Sequence, residues 1–178
     1  FLTNNMSVMN PPLNNSPFKN DVLKGKVAFI TGGGTGICFG IAKVFGQHGC
    51  KLALMGRREF KLKEACAELG KHGIEAIGCQ GDVTKQKECV AAMKKAADHF
   101  GRIDILINGA AGNFICAAED LSVNGFRRVQ EIDSVGTFAM SRAALPYLKE
   151  RRGSLIVNIT ATLHKPATNY QIHVCAAK

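Results

Sequence analysis

A glycine-rich stretch near the start of the chain has the composition of a phosphate-binding turn. Residues 31–37 read TGGGTGI and separate the apolar run VAFIT from a helical pattern. Glycine lets the backbone approach a pyrophosphate, and the free N–H groups of the following helix favour its negative charge. Glycine also forms ordinary tight turns, but a place between a first strand and a first helix favours a dinucleotide. The residues expected to contact it are Gly32, Gly34, Thr35, Gly36 and Ile37.

The end of the second apolar run, MGRR, bears on the kind of dinucleotide. An NAD-binding chain carries a carboxylate there, about 20 residues beyond the glycine turn, to hold the adenosine ribose hydroxyls. This chain carries Arg57 and Arg58 instead, and guanidinium groups match the geometry of a phosphate. Exposed cations at a helix start oppose the helix dipole, so a bound phosphate explains their place better. We expect NADPH, with both arginines at its 2′-phosphate.

Short apolar runs alternate with helical patterns from Lys24 onward. Strands that are apolar on both faces, each followed by a helix, are typical of a parallel sheet covered by helices on both sides. We therefore predict an α/β protein with a Rossmann-type doubly wound sheet, with left-handed helix caps at Gly49, Gly73 and Gly101. The predicted strands are 27–31, 52–55, 74–79, 103–108 and 154–160, and the predicted helices are 36–48, 59–72, 85–100 and 123–151.

The composition is that of a globular domain, since 46% of the 178 residues are hydrophobic and 7% are aromatic. No apolar run approaches the roughly 20 residues of a membrane span, so we expect none. Residues 1–23, rich in asparagine and proline, are expected to form a flexible arm. Residues 24–178 contain no linker and are expected to form one NADP-binding domain.

Basic residues exceed acidic ones by 23 to 14, which gives a net charge of +9. Nucleic acid, an anionic surface or an anionic small molecule could each balance that charge. The basic residues are dispersed and no stripe alternates with aromatics, so we expect a polyphosphorylated ligand rather than nucleic acid. The seven cysteines form an odd set without a Cys-x-x-Cys pair, which favours reduced, buried thiols over a disulfide scaffold or a metal site.

Several motifs resemble those of the short-chain dehydrogenase/reductase family. Its Gly-x-x-x-Gly-x-Gly turn matches Gly32 and Gly36, while Cys38 stands where the third glycine is usual and narrows the space between helix and sheet. An Asp-Val pair after the third strand and NGAAG at 108–112 are similar to the family's adenine-contacting pair and its Asn-Asn-Ala-Gly segment. The further cofactor contacts that this resemblance implies are Asp82, Val83 and Ala110.

Within that family, longer strings resemble the peroxisomal 2,4-dienoyl-CoA reductases, including the fungal sporulation-associated form. These strings are NGAAGNFICAAEDLSVNGF, EIDSVGTF, IVNITAT and QIHVCAAK. The resemblance implies NADPH-dependent reduction of a dienoyl-CoA thioester to a trans-3-enoyl-CoA, in the peroxisome, during breakdown of unsaturated fatty acids. It also implies a homo-oligomer.

Most members of the family carry an Asn-Ser-Tyr-Lys tetrad, of which this chain keeps only the lysine. Matching by motif places the lysine at Lys178, the tyrosine at Val174, the serine at Ala161 and the asparagine at Asp133. Neither valine nor alanine can deliver a proton to an alkoxide, so ordinary ketone reduction is not expected. A conjugated thioester instead needs a partner for its oxygen and, later, a proton at its α carbon.

The resemblance implies that Asp133 and Lys178 perform the proton chemistry, with Lys178 also holding the nicotinamide ribose. Asn113 follows the fourth strand and could donate its amide hydrogens to the thioester oxygen. An asparagine that merely forms the turn is the alternative. Phe114 and Thr160 are expected to contact the substrate.

His173 and Tyr170 lie near the missing tyrosine and are alternative acids. A helical residue five places before Lys178 is rotated about 140° from it, which disfavours a direct role for His173. Tyr170 is expected to lie in a loop.

The chain stops where a full family member continues, so we expect a fold that is incomplete at its C-terminal side. The fifth strand would then be an apolar edge. Two other functions stay open at this point. One is another short-chain reductase, acting on a carbonyl or a 2-enoyl thioester, and the other is an inactive nucleotide-binding fragment.

Overall fold

Five strands form one parallel sheet in the computed structural model, which describes residues 16–163 and 168–178. The strand order is β3-β2-β1-β4-β5, so it reverses at β1, as in the predicted doubly wound sheet. The predicted fold class is confirmed. The strands are β1 (Val27–Thr31), β2 (Lys51–Gly56), β3 (Ala76–Gln80), β4 (Ile105–Asn108) and β5 (Leu155–Asn158).

Helices cover both faces of the sheet because successive side chains of a strand point to opposite sides. Phe29 of β1 packs in a core with the helices at 86–100 and 136–149, and its neighbour Ile30 packs in a second core with the helices at 36–47 and 59–70. The predicted glycine caps are confirmed by positive φ angles at Gly49, Gly73 and Gly101. The helices are α1 (Gly36–Gln47), α2 (Glu59–Gly70), α3 (Gln86–Phe100), α4 (Val123–Gln130), α5 (Gly136–Lys149) and α6 (Ile172–Cys175). Within the described residues, no helix is long and apolar enough to cross a bilayer.

The predicted long helix 123–151 runs without a break from Val123 to Lys149, but it is not α-helical throughout. A π-helical turn, Glu131–Val135, separates α4 from α5. Such a turn holds one residue more than an α turn and often lies at a functional site. Asp133 lies within it and is 6% exposed.

Glycine after the π turn lets the helix approach the loop that follows β3. A Cβ at Gly136 would lie 2.7 Å from Val83 Cγ2, so a larger residue would push the two segments apart. At the far edge of the sheet, Leu155 of β5 is 54% exposed, which agrees with the predicted apolar edge.

The described part of the predicted N-terminal arm contacts the end of α1, while residues 1–15 lie outside the described residues. His48 Nδ1 donates to Lys19 O at 2.8 Å, and His48 Nε2 is 3.2 Å from Ser16 Oγ. Leu23 N donates to His48 O at 3.0 Å. Residues 16–23 are therefore held against the domain, and the division at residue 23 stays a prediction.

A buried carboxylate joins the amino ends of β1 and β4. The Asp104 side chain is 1% exposed and accepts hydrogen bonds from Val27 N at 2.9 Å and from two nitrogens of Arg102 at 2.6 and 2.8 Å. Lys26 Nζ lies 3.6 Å away. Burial raises the pKa of Asp104, but the Arg102 and Val27 hydrogen bonds outweigh it, so the pKa is lowered overall.

We expect Asp104→Asn to lower the free energy of unfolding by about 2–3 kcal/mol at pH 7. The substitution leaves Arg102 without its charged partner, but Arg102 is 35% exposed, so the cost falls below that of a fully buried pair. Denaturant melts of both proteins measure the difference. Equal midpoints would contradict this role for Asp104.

The same pair makes stability depend on pH. Because the folded pKa of Asp104 is lowered below the unfolded value of about 3.9, the stabilisation is present above that value and is lost as pH falls through the folded pKa. Melts between about pH 6 and pH 3 should show a smaller loss for the Asp104→Asn variant than for the wild type. Parallel losses would contradict the prediction.

Candidate active site

A cleft of about 390 Å³ lies at the carboxyl edge of the sheet. Open α/β sheets bind ligands at this edge, where the strand order reverses. Gly36 is not among the described residues that line the cleft, and adopts a φ of 60° where the turn enters α1. The other predicted cofactor residues line it: Gly32, Gly34, Thr35, Ile37, Arg57, Arg58, Asp82, Val83, Ala110 and Lys178.

The glycine turn after β1 packs directly on the turn after β4. Gly32 adopts a φ of 69°, and a Cβ there would lie 2.9 Å from Gly109 O. Thr31 Oγ1 accepts hydrogen bonds from Gly109 N at 2.9 Å and Ala110 N at 3.0 Å. These contacts hold the two sides of the cleft at a fixed separation.

Cys38 fills the space that a side chain at position 109 would need. It is 5% exposed and lines the cleft, and a Cβ on Gly109 would overlap its Sγ. Burial raises the pKa of the Cys38 thiol, although the Lys178 charge opposes the shift. Cys38 and Gly109 therefore form a complementary pair, which explains how the first helix tolerates a residue larger than glycine.

The arginine pair places positive charge at one end of the cleft. Arg57 and Arg58 are exposed, and neither forms a salt bridge with a carboxylate in residues 16–163 or 168–178. Lys61 also lines the cleft and pairs with Glu64 at 2.7 Å. Two unpaired guanidinium groups at a helix start fit a phosphate ligand.

Asp82 is held by its own turn and by α4. Thr84 donates to Asp82 Oδ1 from its backbone N at 3.0 Å and from its hydroxyl at 2.8 Å. Arg128 lies 3.3 Å from Oδ2. Burial raises the pKa of Asp82, but the Thr84 hydrogen bonds and the Arg128 charge outweigh it, so the pKa is lowered overall. Asp82 is therefore a fixed anion at the cleft wall.

Asp133 and Lys178 form an ion pair at the cleft, where Lys178 belongs to the lining and Asp133 does not. Lys178 Nζ lies 3.0 Å from Asp133 Oδ2, and the two side chains are 15% and 1% exposed. Asp133 Oδ1 accepts a hydrogen bond from Gly112 N at 2.7 Å. Oδ2 is buried, and apart from the Lys178 ion pair it has no partner in the part of the chain that the structure describes.

The turn after β4 brings Asn113 and Phe114 to the segment before Lys178. Asn113 Nδ2 donates to Gln171 Oε1 at 3.0 Å, which leaves its second amide hydrogen for a ligand. The Phe114 ring stacks on His173 with centroids 4.2 Å apart. Tyr170 lies in a turn, as predicted, with a φ of 62°.

Asp133, Asn113 and Phe114 are not among the described residues that line the cleft, and neither are the remaining predicted positions, which lie near Lys178. Thr160 Oγ1 donates to Lys178 O at 3.1 Å. Val174, where the family carries its tyrosine, is 5% exposed and packs inward. Ala161 is exposed. The tyrosine position therefore offers no group that could carry a proton.

Sequence reasoning missed three side chains that position the site. Thr31 joins β1 to the turn after β4, and its place at a buried strand end was the available signal. Asn108 Nδ2 donates to Asn158 Oδ1 at 2.9 Å and Ser141 Oγ at 3.1 Å, joining β4, β5 and α5. Gln171 holds Asn113 through a contact that nothing local predicts.

The family model for short chain dehydrogenases matches residues 26–178. The chain belongs to the short-chain dehydrogenase family. Members of this family bind a nicotinamide cofactor, and the cleft has the parts such a ligand needs. One part is the glycine turn, which packs closely on the turn after β4 because Gly32 has no Cβ atom. The others are the Arg57–Arg58 pair and Lys178, which also line the cleft.

Several curated relatives of the chain share a specific name. The chain is 54% identical over 171 residues to the peroxisomal 2,4-dienoyl-CoA reductase of Arabidopsis thaliana, covering 92% of this chain and 57% of that protein. It is 38% identical over 166 residues to the peroxisomal 2,4-dienoyl-CoA reductase of Saccharomyces cerevisiae, covering 90% and 56%. The chain thus spans little more than half the length of these relatives.

Solved structures give the same family. A short chain dehydrogenase from Bacillus anthracis is similar with a TM-score of 0.79 and 40% identity, covering 88% of this chain and 65% of that one. One from Mycobacterium smegmatis has a TM-score of 0.84 and 28% identity, covering 89% and 67%.

The contact between Cys38 and Gly109 makes a testable pair. We expect Gly109→Ala to weaken nicotinamide cofactor binding by about 10-fold. The added methyl group would overlap Cys38 Sγ and push the two sides of the cleft apart, at a cost of about 1–3 kcal/mol. Cofactor titration measures the dissociation constant. The control is Cys38→Ala combined with Gly109→Ala, which removes the sulfur and should restore most of the affinity. A double variant as weak as the single one would contradict the steric account.

Proposed function

We propose that the protein containing this chain reduces 2,4-dienoyl-CoA thioesters with NADPH to trans-3-enoyl-CoA, in the breakdown of unsaturated fatty acids. The observation that carries the proposal is the Asp133–Lys178 ion pair beside a buried Val174, in place of a tyrosine acid. Relatives named 2,4-dienoyl-CoA reductases support the same substrate class. A ketone reductase would need an acid at the alkoxide oxygen, which this arrangement lacks.

NADPH is the cofactor that the cleft fits best. The unpaired Arg57 and Arg58 would bind its 2′-phosphate, and Gly32, Gly34, Thr35 and Ile37 would contact its pyrophosphate. Asp82 would contact the adenine and Val83 the adenosine. Ala110 would lie on the nicotinamide side, and Lys178 would hold the nicotinamide ribose. Bound NADPH would supply the hydride.

The thioester oxygen is assigned to Asn113. Asn113 is exposed, two residues beyond Ala111 of the cleft lining, and its amide keeps one N–H free because Gln171 accepts the other. A donor aimed at the oxygen stabilises the negative charge that collects there. Phe114, which is 41% exposed, would contact the acyl chain, and Thr160 would contact the substrate beside Lys178.

The proton is assigned to the ion pair. The conversion adds one hydride at the δ carbon and one proton at the α carbon, so two C=C bonds become one. Asp133 Oδ2, which has no partner besides Lys178 among the described residues, would orient a water that delivers this proton. Lys178 Nζ, 3.0 Å from Oδ2, holds the carboxylate in place.

We infer a peroxisomal location, because the relatives are named peroxisomal. A homo-oligomer, and the absence of nucleic acid among the partners, stay predictions.

Preference for NADPH is expected to depend on the arginine pair. Replacing both Arg57 and Arg58 by Ala should weaken NADPH binding by about 10- to 100-fold, since a hydrogen bond to a charged group contributes about 1.5–3 kcal/mol, and should leave NADH binding unchanged. Titration with both cofactors measures this. Lys63→Ala is the matched control, because Lys63 is a cation on α2 that pairs with Glu59 away from the cleft. Equal losses for NADH and NADPH would contradict the assignment.

The proton role is tested by Asp133→Asn in the full-length protein. An asparagine oxygen can still accept from Gly112 N, so the turn is kept while the carboxylate is lost. We expect the turnover of 2,4-hexadienoyl-CoA, measured as NADPH oxidation, to fall about 100-fold or more. NADPH binding measured beside it should change little. Turnover by Asp133→Asn at the wild-type rate would contradict the proton role of Asp133.

A further inference from the structure

The 112–116 turn after β4 is fastened to residues 170–173 by several contacts. Cys116 N donates to Tyr170 O at 3.0 Å, where Tyr170 adopts a left-handed backbone. Asn113 Nδ2 donates to Gln171 Oε1 at 3.0 Å. His173 Nε2 lies 3.0 Å from Phe114 O. The two segments therefore lie side by side, and the first holds Asn113 while the second leads to Lys178.

His173 is the most deeply buried member of this contact. Its side chain is 0% exposed and stacks on the Phe114 ring at 4.2 Å with an angle of 19° between the planes. Because a carbonyl oxygen only accepts, Nε2 must carry the proton of the bond to Phe114 O. Nδ1 is buried without a partner among the described residues. His173 therefore directs its Nε2–H group into the turn, so this N–H is not available to a ligand in the cleft.

His173 also contacts the helix that leads to Asp133. Gln130, the last residue of α4, donates from Nε2 to His173 O at 2.9 Å. Ser134, next to Asp133 in the π turn, donates to Ala177 O at 3.2 Å. The segment around His173 thus touches the elements that carry Asn113, Asp133 and Lys178.

We propose that His173 is a positioning residue, which fixes the 112–116 turn onto α6 so that Asn113 is aimed at the thioester oxygen. The proposal rests on the function proposed above. It makes His173 act through Asn113 rather than on the substrate. A residue that only stabilised the fold would affect cofactor binding and turnover alike.

Two variants separate the ring from its N–H group. His173→Phe keeps an aromatic ring against Phe114 but loses the donor, whereas His173→Gln keeps an N–H near the position of Nε2. In the full-length protein, we expect kcat/KM for 2,4-hexadienoyl-CoA to fall about 5- to 10-fold in His173→Phe, the value of one hydrogen bond. His173→Gln should recover most of that loss, and NADPH binding should stay at the wild-type value in both. Equal losses in both variants, or a parallel loss of NADPH affinity, would overturn the proposal.

A double variant tests whether the effect passes through Asn113. Asn113→Ala alone should lower turnover about 100-fold, as loss of an oxyanion donor does. Adding His173→Phe to it should lower turnover no further, since residues that act through one group are not additive. A further loss of 5- to 10-fold would mean that His173 acts independently of Asn113.

Hydrogen exchange tests the positioning without any activity. We expect the amides of the 112–116 turn to exchange about 10-fold faster in His173→Phe than in the wild type, while those of the glycine turn do not change. Unchanged exchange at 112–116 would overturn the proposal even if the enzyme reduces dienoyl-CoA. Conversely, faster exchange at 112–116 with full activity of the Asn113→Ala variant would support the contact made by His173 but contradict the proposed role of Asn113 in the reaction.

The position of the His173 ring proton can be measured in the wild-type protein, so this test does not depend on whether a variant folds. A long-range ¹H–¹⁵N spectrum of the histidine rings should show His173 with its proton on Nε2. A proton on Nδ1 alone would contradict the bond to Phe114 O.

Discussion

The ion pair between Asp133 and Lys178 is the interaction on which the rest of the site depends. It joins the π turn between α4 and α5 to the segment after α6 across 3.0 Å. The other oxygen of the same carboxylate accepts from Gly112 N, so the turn after β4 is also tied to it. A buried charge without its partner is costly. Removal of the whole Asp133 side chain would therefore loosen three segments, whereas an asparagine there would keep the bond to Gly112 N and lose only the charge.

In the proposed function, the site would separate two tasks that one tyrosine performs in a carbonyl reductase. Reduction of a conjugated thioester places negative charge on oxygen and a proton on carbon, at different positions. Asn113 lies near one end of the turn as the donor assigned to oxygen, and Asp133 lies behind Gly112 as the group assigned to the proton. A buried Val174 fits such a division, because no acid is needed at its position.

Local sequence predicted the parts of the fold that local forces decide. Strands buried on both faces read as continuous apolar runs, and Gly101 caps its helix because only glycine adopts a positive φ there at no cost. The π turn at Glu131–Val135 was not predicted, because one extra residue leaves the helical pattern of EIDSV intact. The contacts of Cys38 with Gly109, and of Asn113 with Gln171, join segments far apart in the chain and depend on packing.

The most direct test of the account is where the proton goes. Incubation of the full-length protein with NADPH and 2,4-hexadienoyl-CoA in D₂O, followed by NMR of the product, locates both the remaining double bond and the solvent-derived deuterium. The account predicts a trans-3-enoyl-CoA with one deuterium at the α carbon. A 2-enoyl product with deuterium at the γ carbon, or an alcohol formed by reduction of the carbonyl, would contradict it.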